Sequence, residues 1–198
     1  MQVDDQALLV QIIQGDQEAL KHLYARYREP VYRYLWYQLE RNTGWTEEIV
    51  QDVFLNIWRS AAQYRGEARL ATWIFRIAHH LAAKARRDRS RRAEGHLIEL
   101  EAGDDEGAGI SEEHVFFVNS HEEGVLNRLT LTDALQQLSP RHRTVLELVF
   151  LQGFSPAEVA QVLDVPVGTV KSRISYARRA LLALLQQSDA LEGVGHDK

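Results

Sequence analysis

The side chains with the clearest chemical potential lie between residues 167 and 182, a stretch with helical spacing. At roughly 100° per residue, one narrow stripe is apolar: Val170, Ile174, Ala177 and Leu181. The remaining surface is small, hydroxylated or basic: Gly168, Thr169, Lys171, Ser172, Arg173, Ser175, Tyr176, Arg178 and Arg179. Such a face can bind phosphates and base edges in a DNA major groove, although an ordinary solvated basic face has the same composition.

A second, shorter helix is predicted directly before this one. Ser155 is expected to be its N-cap, with Pro156 at the first helical position and Glu158 at the third, which together form a capping box. Pro166 ends this helix because the residue before a proline is pushed out of the helical region. Two helices joined by a tight turn predict a helix-turn-helix.

Two stretches of sequence here resemble a known family. They read VPVGTVKSRISYARRAL and, upstream, LTDALQQLSPRHRTVLELVFLQGFSPAEVAQVL. Both are similar to the C-terminal domain of the small extracytoplasmic-function sigma factors of bacteria. In the upstream stretch Leu131, Leu135 and Leu138 space as one helix face, and Ser139-Pro140 opens a further helix. The resemblance implies that the basic face of residues 168–179 contacts the −35 promoter element.

Composition restricts the remaining function classes. The 198 residues contain no cysteine, which excludes disulfides, cysteine metal sites and thiol redox sensing by this chain. We find no apolar run of membrane-spanning length and no basic leader, and we therefore expect a soluble cytoplasmic protein. The nucleotide-binding, hydrolase and zinc-protease motifs are missing, and adjacent His79 and His80 would point about 100° apart on a helix. We expect no enzyme activity, metal or cofactor.

Charge is unevenly distributed along the chain. The net charge is −5, yet Lys84 to Arg92 carries six basic residues and one acidic residue. Residues 94–123 hold ten acidic residues and no Lys or Arg. This alternation predicts weak DNA binding by the chain alone and a need for a larger basic partner. The apolar run Val115 to Val118 interrupts the acidic stretch and could dock a partner or pack locally.

The overall pattern predicts an all-α protein of two small helical domains. An N-terminal domain is expected at 1–92, a flexible acidic linker at 93–125, a C-terminal domain with the helix-turn-helix at 126–187 and a tail at 188–198.

Within the first domain, periodicity and capping signals predict successive helices. A short helix is expected from Asp5 to Gln14, and Asp16 should cap the next one. Pro30 marks a break or a new start, and Thr46 is predicted to cap a helix over residues 46–61.

The helix predicted at 46–61 has an apolar face formed by Val50, Phe54, Ile57 and Ala61. Leu55 points away from that face among acidic residues, which suits a partner helix but is also common for a single surface residue. This segment resembles the sigma-factor helix that grips the β′ clamp helices of RNA polymerase. The resemblance implies these core-binding residues: Glu48, Gln51, Asp52, Leu55 and Trp58.

A loop at 63–69 and a helix from Leu70 follow. The predicted buried stripe of that helix is Leu70, Ile74, Ile77 and Leu81, with Thr72 and Phe75 on the opposite side. An outward aromatic among basic residues favours binding of single-stranded DNA. We expect Trp73 in the core and Phe75 outside it.

The same stretch, YRGEARLATWIFRIAHHLAAKARRDR, resembles the family segment that melts and reads the −10 element, where one base is flipped into a pocket formed by the loop. That resemblance implies Tyr64 as a wall of the pocket and Arg65 and Arg69 as phosphate or base contacts. The implied −10 residues are Tyr64, Arg65, Arg69, Phe75, Arg76, His79, Ala83 and Arg86.

Together these resemblances imply a sigma factor that catalyses no bond change. Its implied partners are core RNA polymerase (the β′ clamp helices and the β flap), promoter DNA and an anti-sigma factor, with the acidic linker lying in a basic channel of the polymerase. Two other hypotheses remain open from the residues: a regulator that binds duplex DNA as a dimer, and an inhibitor or adaptor that docks on polymerase without reading DNA.

Overall fold

The structure is a computed structural model that describes residues 4–93, 134–135 and 137–192. Within these ranges all regular structure is helical and no strand occurs, which confirms the predicted all-α class. The α-helices are α1 (Asp5–Ile13), α2 (Gln17–Gln38), α3 (Thr43–Ser60), α4 (Leu70–Ala93), α5 (Pro140–Leu146), α6 (Pro156–Leu163) and α7 (Val167–Glu192). A 3-10 turn (Ala61–Gln63) follows α3, and a π-helical segment (Glu147–Leu151) follows α5.

Helix α2 begins where its cap predicts but continues through Pro30. The Asp16 carboxylate accepts hydrogen bonds from the backbone N–H groups of Glu18 at 2.8 Å and Ala19 at 3.3 Å. The expected break at Pro30 is wrong, since one helix spans Gln17–Gln38. A proline inside a helix costs about 3 kcal/mol. Val31, directly after the proline, and Leu23, two turns before it, are fully buried, and this burial offsets the loss.

Helix α3 starts three residues before its predicted cap. The Asn42 side chain is the N-cap and accepts from the backbone N–H of Trp45 at 2.9 Å. Thr46 is not the cap: it is buried inside the helix, and its hydroxyl donates to the Asn42 carbonyl at 2.7 Å. Asparagine and threonine are both good N-cap residues. The cap is Asn42 and not Thr46 because the backbone turns at Arg41, which has φ +57°.

The helix-turn-helix forms as the sequence predicts. The Ser155 hydroxyl accepts from the Glu158 N–H at 3.3 Å, and the Glu158 carboxylate accepts from the Ser155 N–H at 2.8 Å. Asp164 ends α6 in the left-handed region at φ +56°, and α7 begins at Val167. Helix α7 runs to Glu192, past the domain end expected at residue 187.

Other expectations for the second half of the chain are met in part. Leu135 and Leu138 are buried and Pro140 starts α5, as expected, whereas Leu131 lies outside the described residues. The expected linker falls almost entirely within residues 94–133, which also lie outside the described part of the chain.

The C-terminal helices pack on the N-terminal ones through α4 and α6. The rings of Phe75 and Phe154 meet edge to face, with centroids 5.0 Å apart. Arg69 pairs with Glu158 at 3.1 Å, and Arg76 lies 3.7 Å from Asp164. One face of α4 is therefore covered by α6 and the loop before it.

This packing corrects the expected orientation of two α4 residues. Thr72 and Phe75 were expected on the outward side, yet they are 1% and 2% exposed. Phe75 contacts both Phe154 and Tyr34. The helical period of α4 is unchanged, but a second layer of helices makes the predicted outer face a buried one.

Candidate nucleic-acid interface

The basic side of α7, here called the recognition face, is open to solvent. Val170 and Ala177 are fully buried against the helices beneath, which turns the opposite side outward. The exposed members are Gly168, Lys171, Ser172, Ser175, Tyr176, Arg178 and Arg179, and Thr169 and Arg173 are half-buried at the edge. All nine residues predicted for −35 contact thus lie on one helix surface, and seven of them are solvent-exposed.

Neighbouring side chains order part of the recognition face. The Arg179 guanidinium carbon lies 4.6 Å from the centre of the Tyr176 ring. The Tyr176 ring also stacks with His142 of α5, at a centroid distance of 6.4 Å and an angle of 24°. The contact with the Tyr176 ring restricts the rotamers of Arg179 and reduces the entropy lost when Arg179 binds a ligand.

Arg141 and His142 extend the recognition face beyond α7 and are not among the residues predicted from the sequence. Burial lowers the pKa of Arg173, and the charge of Arg141 adds to that effect, so the two guanidinium groups are near neighbours. Two close cations gain from an anion placed between them. The signal that could have found them is the run Arg141-His142-Arg143 at the start of a predicted helix.

A pocket of about 390 Å³, here called the loop pocket, lies where residues 63–69 meet α4. Tyr64 and Trp73 form an aromatic wall with ring centroids 5.3 Å apart. The Tyr64 hydroxyl donates to the Ala68 carbonyl at 2.5 Å and thereby closes the loop. The full lining is Gln63, Tyr64, Arg65, Glu67, Ala68, Thr72, Trp73, Arg76 and Gln161.

The loop pocket brings together only part of the set predicted for −10 binding. Tyr64, Arg65 and Arg76 line it, and Trp73 is half-buried against the core and shared with the pocket. Gln161 reaches the pocket from α6 and was missed, because nothing in the sequence indicates that α6 packs beside this loop. An aromatic wall with two cations suits a stacked base and its phosphate.

The rest of the predicted −10 set lies outside the loop pocket. Arg69 is turned toward Glu158, and Ala83 is half-buried further along α4. His79 is hydrogen-bonded to the Tyr34 hydroxyl at 2.8 Å, and burial, helped by nearby Arg86 and His80, lowers its pKa to about 4. Arg86 donates to the Gln38 side chain at 2.9 Å. Contact with the C-terminal helices thus occupies Arg69, whereas contacts with α2 inside the N-terminal half occupy His79 and Arg86.

The outer side of α3, here called the α3 face, is solvent-accessible as predicted. Leu55 is 44% exposed, and Glu48, Gln51 and Asp52 are exposed around it, with Trp58 half-buried. Glu48 and Asp52 also line a groove of about 430 Å³ between α3 and α4. The opposite wall of this groove is basic, and its Arg89 guanidinium lies 4.6 Å from the Trp45 ring centre. An apolar centre rimmed by both charges suits a protein partner.

Family models match both halves of the chain. Residues 23–92 match sigma-70 region 2, and residues 128–181 match sigma-70 region 4. The ECF RNA polymerase sigma-E factor of Haemophilus influenzae is 32% identical over 183 residues, covering 91% of this chain and 94% of that protein. The chain belongs to the extracytoplasmic-function (ECF) sigma factors of RNA polymerase. SigW of Bacillus subtilis is 30% identical to this sigma factor over 176 residues, covering 86% and 91% of the two chains.

Solved structures support the same fold for the sigma factor. CnrH, in complex with the cytosolic domain of CnrY, gives a TM-score of 0.62 at 23% identity, with 92% of this chain and 97% of that chain covered. RpoE of Bartonella quintana, in complex with the anti-sigma factor NepR, gives 0.61 at 23% identity, with 84% and 96% covered. Among the described residues, no helix is both long and apolar enough to cross a membrane.

Proposed function

We propose that this sigma factor directs core RNA polymerase to promoters by reading two elements with two separate surfaces. The recognition face of α7 contacts the −35 element as duplex DNA, and the loop pocket with the adjoining α4 residues captures an unpaired base of the −10 element. The observation that carries this proposal is the single exposed surface on which the α7 residues gather. A helix of this kind in a major groove places hydroxyl, guanidinium and ammonium groups against base edges and phosphates.

Roles within the two surfaces follow from chemistry and position. Lys171, Ser172, Ser175, Tyr176 and Arg179 face the −35 bases and backbone, and Arg173 with Arg141 holds a phosphate. In the loop pocket, the ring of Tyr64 stacks on the flipped base while Arg65 and Arg76 bind the backbone. The sigma factor makes no covalent change in its substrate; trapping the unpaired strand is what favours the open promoter.

The α3 face is the proposed site for the polymerase β′ clamp helices, and the β flap would contact the C-terminal helices. The division into domains at 1–92 and 126–187 with an acidic linker between them lets both surfaces reach one promoter. The linker would run in a basic channel of the polymerase. A chain that works on chromosomal promoters in this way acts in the cytoplasm.

An anti-sigma factor is a further proposed partner. The support is that CnrH and the Bartonella RpoE were both solved with partner proteins, in the second case one described as an anti-sigma factor. An exposed Leu55 within an acid-rimmed surface offers such a protein the same binding site that the polymerase needs. Competition for the α3 face would then silence transcription.

Run-off transcription with purified core polymerase and a promoter library tests the proposal. We expect transcripts from a subset of templates, with thymines near the start site becoming reactive to permanganate only when sigma factor and polymerase are both present. Thymines that stay protected on every template would overturn the promoter-opening role. Tight binding of the isolated chain to a palindromic duplex would favour the dimeric regulator instead.

A further inference from the structure

A buried polar cluster joins the two halves of the molecule at the end of α2. The Gln38 side-chain amide donates to Thr144 Oγ1 at 2.8 Å and to Glu147 Oε2 at 3.1 Å. Gln38 belongs to the N-terminal helices, whereas Thr144 and Glu147 belong to α5 and the π-helical segment. Glu147 is 1% exposed, which is unusual for a carboxyl group.

Arginine side chains surround this cluster without placing a hydrogen bond on every carboxyl oxygen. From α4, Arg86 donates to the Gln38 side-chain oxygen at 2.9 Å and to its backbone carbonyl at 3.1 Å, which orients the amide nitrogen toward Glu147. From α5, Arg143 donates to the Leu138 carbonyl at 3.2 Å. Within the described part of the chain, Glu147 Oε1 accepts no hydrogen bond.

Other titratable and charged groups lie around Glu147 on several elements. Tyr34 of α2 has its pKa raised by burial and by the charge of Glu147, so it remains neutral. His79, bonded to Tyr34, is neutral above about pH 4. Burial lowers the pKa of the Arg143 guanidinium, and the charge of Arg41, in the turn after α2, adds to that effect. Glu40 lines the adjoining pocket with Tyr37 and Arg86.

We propose that Gln38, Arg86 and Glu147 form a proton-dependent latch that holds the C-terminal helices closed over the α4 face. With a proton on Oε1 the Glu147 carboxyl is neutral, and Oε2 accepts the hydrogen bond from the Gln38 amide. Without that proton a charge is left in a buried site with one oxygen unbonded, and water solvates it better once the two halves separate. Separation uncovers Phe75 and releases Arg69 and Arg76 from their ion pairs with Glu158 and Asp164.

The direction of the pH effect follows from the burial of Glu147. In the closed form desolvation raises the pKa of Glu147 to about 8, although Gln38 and Arg143 oppose the shift. Once exposed, the group regains an ordinary glutamate pKa of roughly 4.3. The stabilisation of the closed form is complete below the lower value and lost as pH rises to the upper one. Between them the ratio of open to closed molecules rises up to about tenfold per pH unit.

The absence of cysteine from the chain permits a direct measurement. Lys21→Cys on α2 and Leu182→Cys on α7 place two nitroxide labels on exposed positions of opposite halves. Pulsed electron paramagnetic resonance then reports the distance between the halves at pH 6.0 and pH 8.5. We expect one short distance at pH 6.0 and a longer population at pH 8.5, with the open-to-closed ratio raised at least tenfold.

Three further variants in the labelled chain make the test specific. Glu147→Gln mimics the protonated acid and should keep the short distance at both pH values. Gln38→Ala removes the amide donor and should show the longer population already at pH 6.0. Glu47→Gln, at an exposed acid of α3, should give the same distances at each pH as the labelled chain that keeps Glu47.

A wild-type distance that is the same at both pH values would overturn the latch, as would a pH shift that persists in Glu147→Gln. Far-UV circular dichroism at each pH identifies a chain that has unfolded. Should Glu147→Gln not fold, the wild-type and Gln38→Ala measurements still decide the matter. Only the consequence of the latch, the uncovering of α4 residues, rests on the proposed −10 surface. The experiment contains neither polymerase nor DNA, so the latch can fail while the proposed function holds.

Discussion

The recognition face of α7 and the covered face of α4 have similar compositions, but their aromatic rings have opposite accessibilities. Each combines an aromatic ring with several arginines, and each was expected to touch DNA. Tyr176 is solvent-exposed and carries Arg179 stacked on its ring, whereas Phe75 is buried and Arg69 is paired with Glu158. The difference shows that a basic-aromatic pattern predicts a binding surface but not whether the free protein presents it.

The largest expected effect comes from removing the aromatic contact that covers α4. Phe154→Ala should lower the free energy of unfolding by about 3–5 kcal/mol, because Phe154 is 4% exposed and packs on Phe75. The matched control is Phe150→Ala, since Phe150 is 61% exposed and its truncation should change stability by less than about 0.5 kcal/mol. Urea denaturation measures both, and equal losses would show that the covering contact contributes nothing.

A charge on the α3 face tests whether polymerase docks on this surface, which, like the recognition face, is already exposed. Leu55→Glu should weaken binding to core polymerase at least tenfold, or about 1.4 kcal/mol, because a carboxylate would be desolvated in the contact. Val10→Glu is the control, at a residue of α1 that is 54% exposed. Fluorescence anisotropy with labelled sigma factor gives both affinities. Unchanged binding of the Leu55 variant would remove this residue from the interface.

The cap of α6 affects both faces, because α6 both covers α4 and supports α7. Ser155→Ala should destabilise the protein by about 1 kcal/mol, because the hydroxyl satisfies the N–H of Glu158. Ser139→Ala should cost only a few tenths of a kcal/mol, as Ser139 caps α5 without a side-chain hydrogen bond. Thermal denaturation compares the two, and a Ser139 variant that loses as much stability as the Ser155 variant would contradict the capping-box account.

The smallest expected effect concerns a single cation on the open face. If Lys171 contacts a phosphate, Lys171→Ala should lower the salt dependence of −35 duplex binding by about 0.9 in log–log slope. Lys21→Ala, at an exposed lysine of α2, should leave the slope unchanged. Titrations at several salt concentrations with a duplex chosen by run-off transcription provide the measurement. An unaltered slope for Lys171→Ala would exclude that phosphate contact.

Local signals predicted the elements well where one residue type determines the geometry. The capping box at Ser155, the Asp16 cap and the α7 stripe depend on neighbours within four positions, and each forms as expected. Pro30 and Thr46 were misread because tertiary burial outweighed the proline penalty and because two capping residues lie four positions apart.

The candidate site was harder to predict than the helices. The exposure of Lys171 and Leu55 follows from helical periodicity alone. The burial of Phe75 and the position of Gln161 depend on contacts between residues about 80 or more positions apart, which no periodic pattern encodes. The same holds for the Gln38–Glu147 bond, since each residue alone is typical of a solvated helix surface.

The stacking of Arg89 on Trp45 provides an optical reporter in the natural sequence. The indole lies in the groove between α3 and α4 with the guanidinium carbon 4.6 Å from its ring centre. A helix that entered this groove and displaced the guanidinium from the ring would alter the surroundings of the indole. The emission of Trp45 would then change at the moment of docking, and stopped-flow fluorescence could time complex formation without any attached dye.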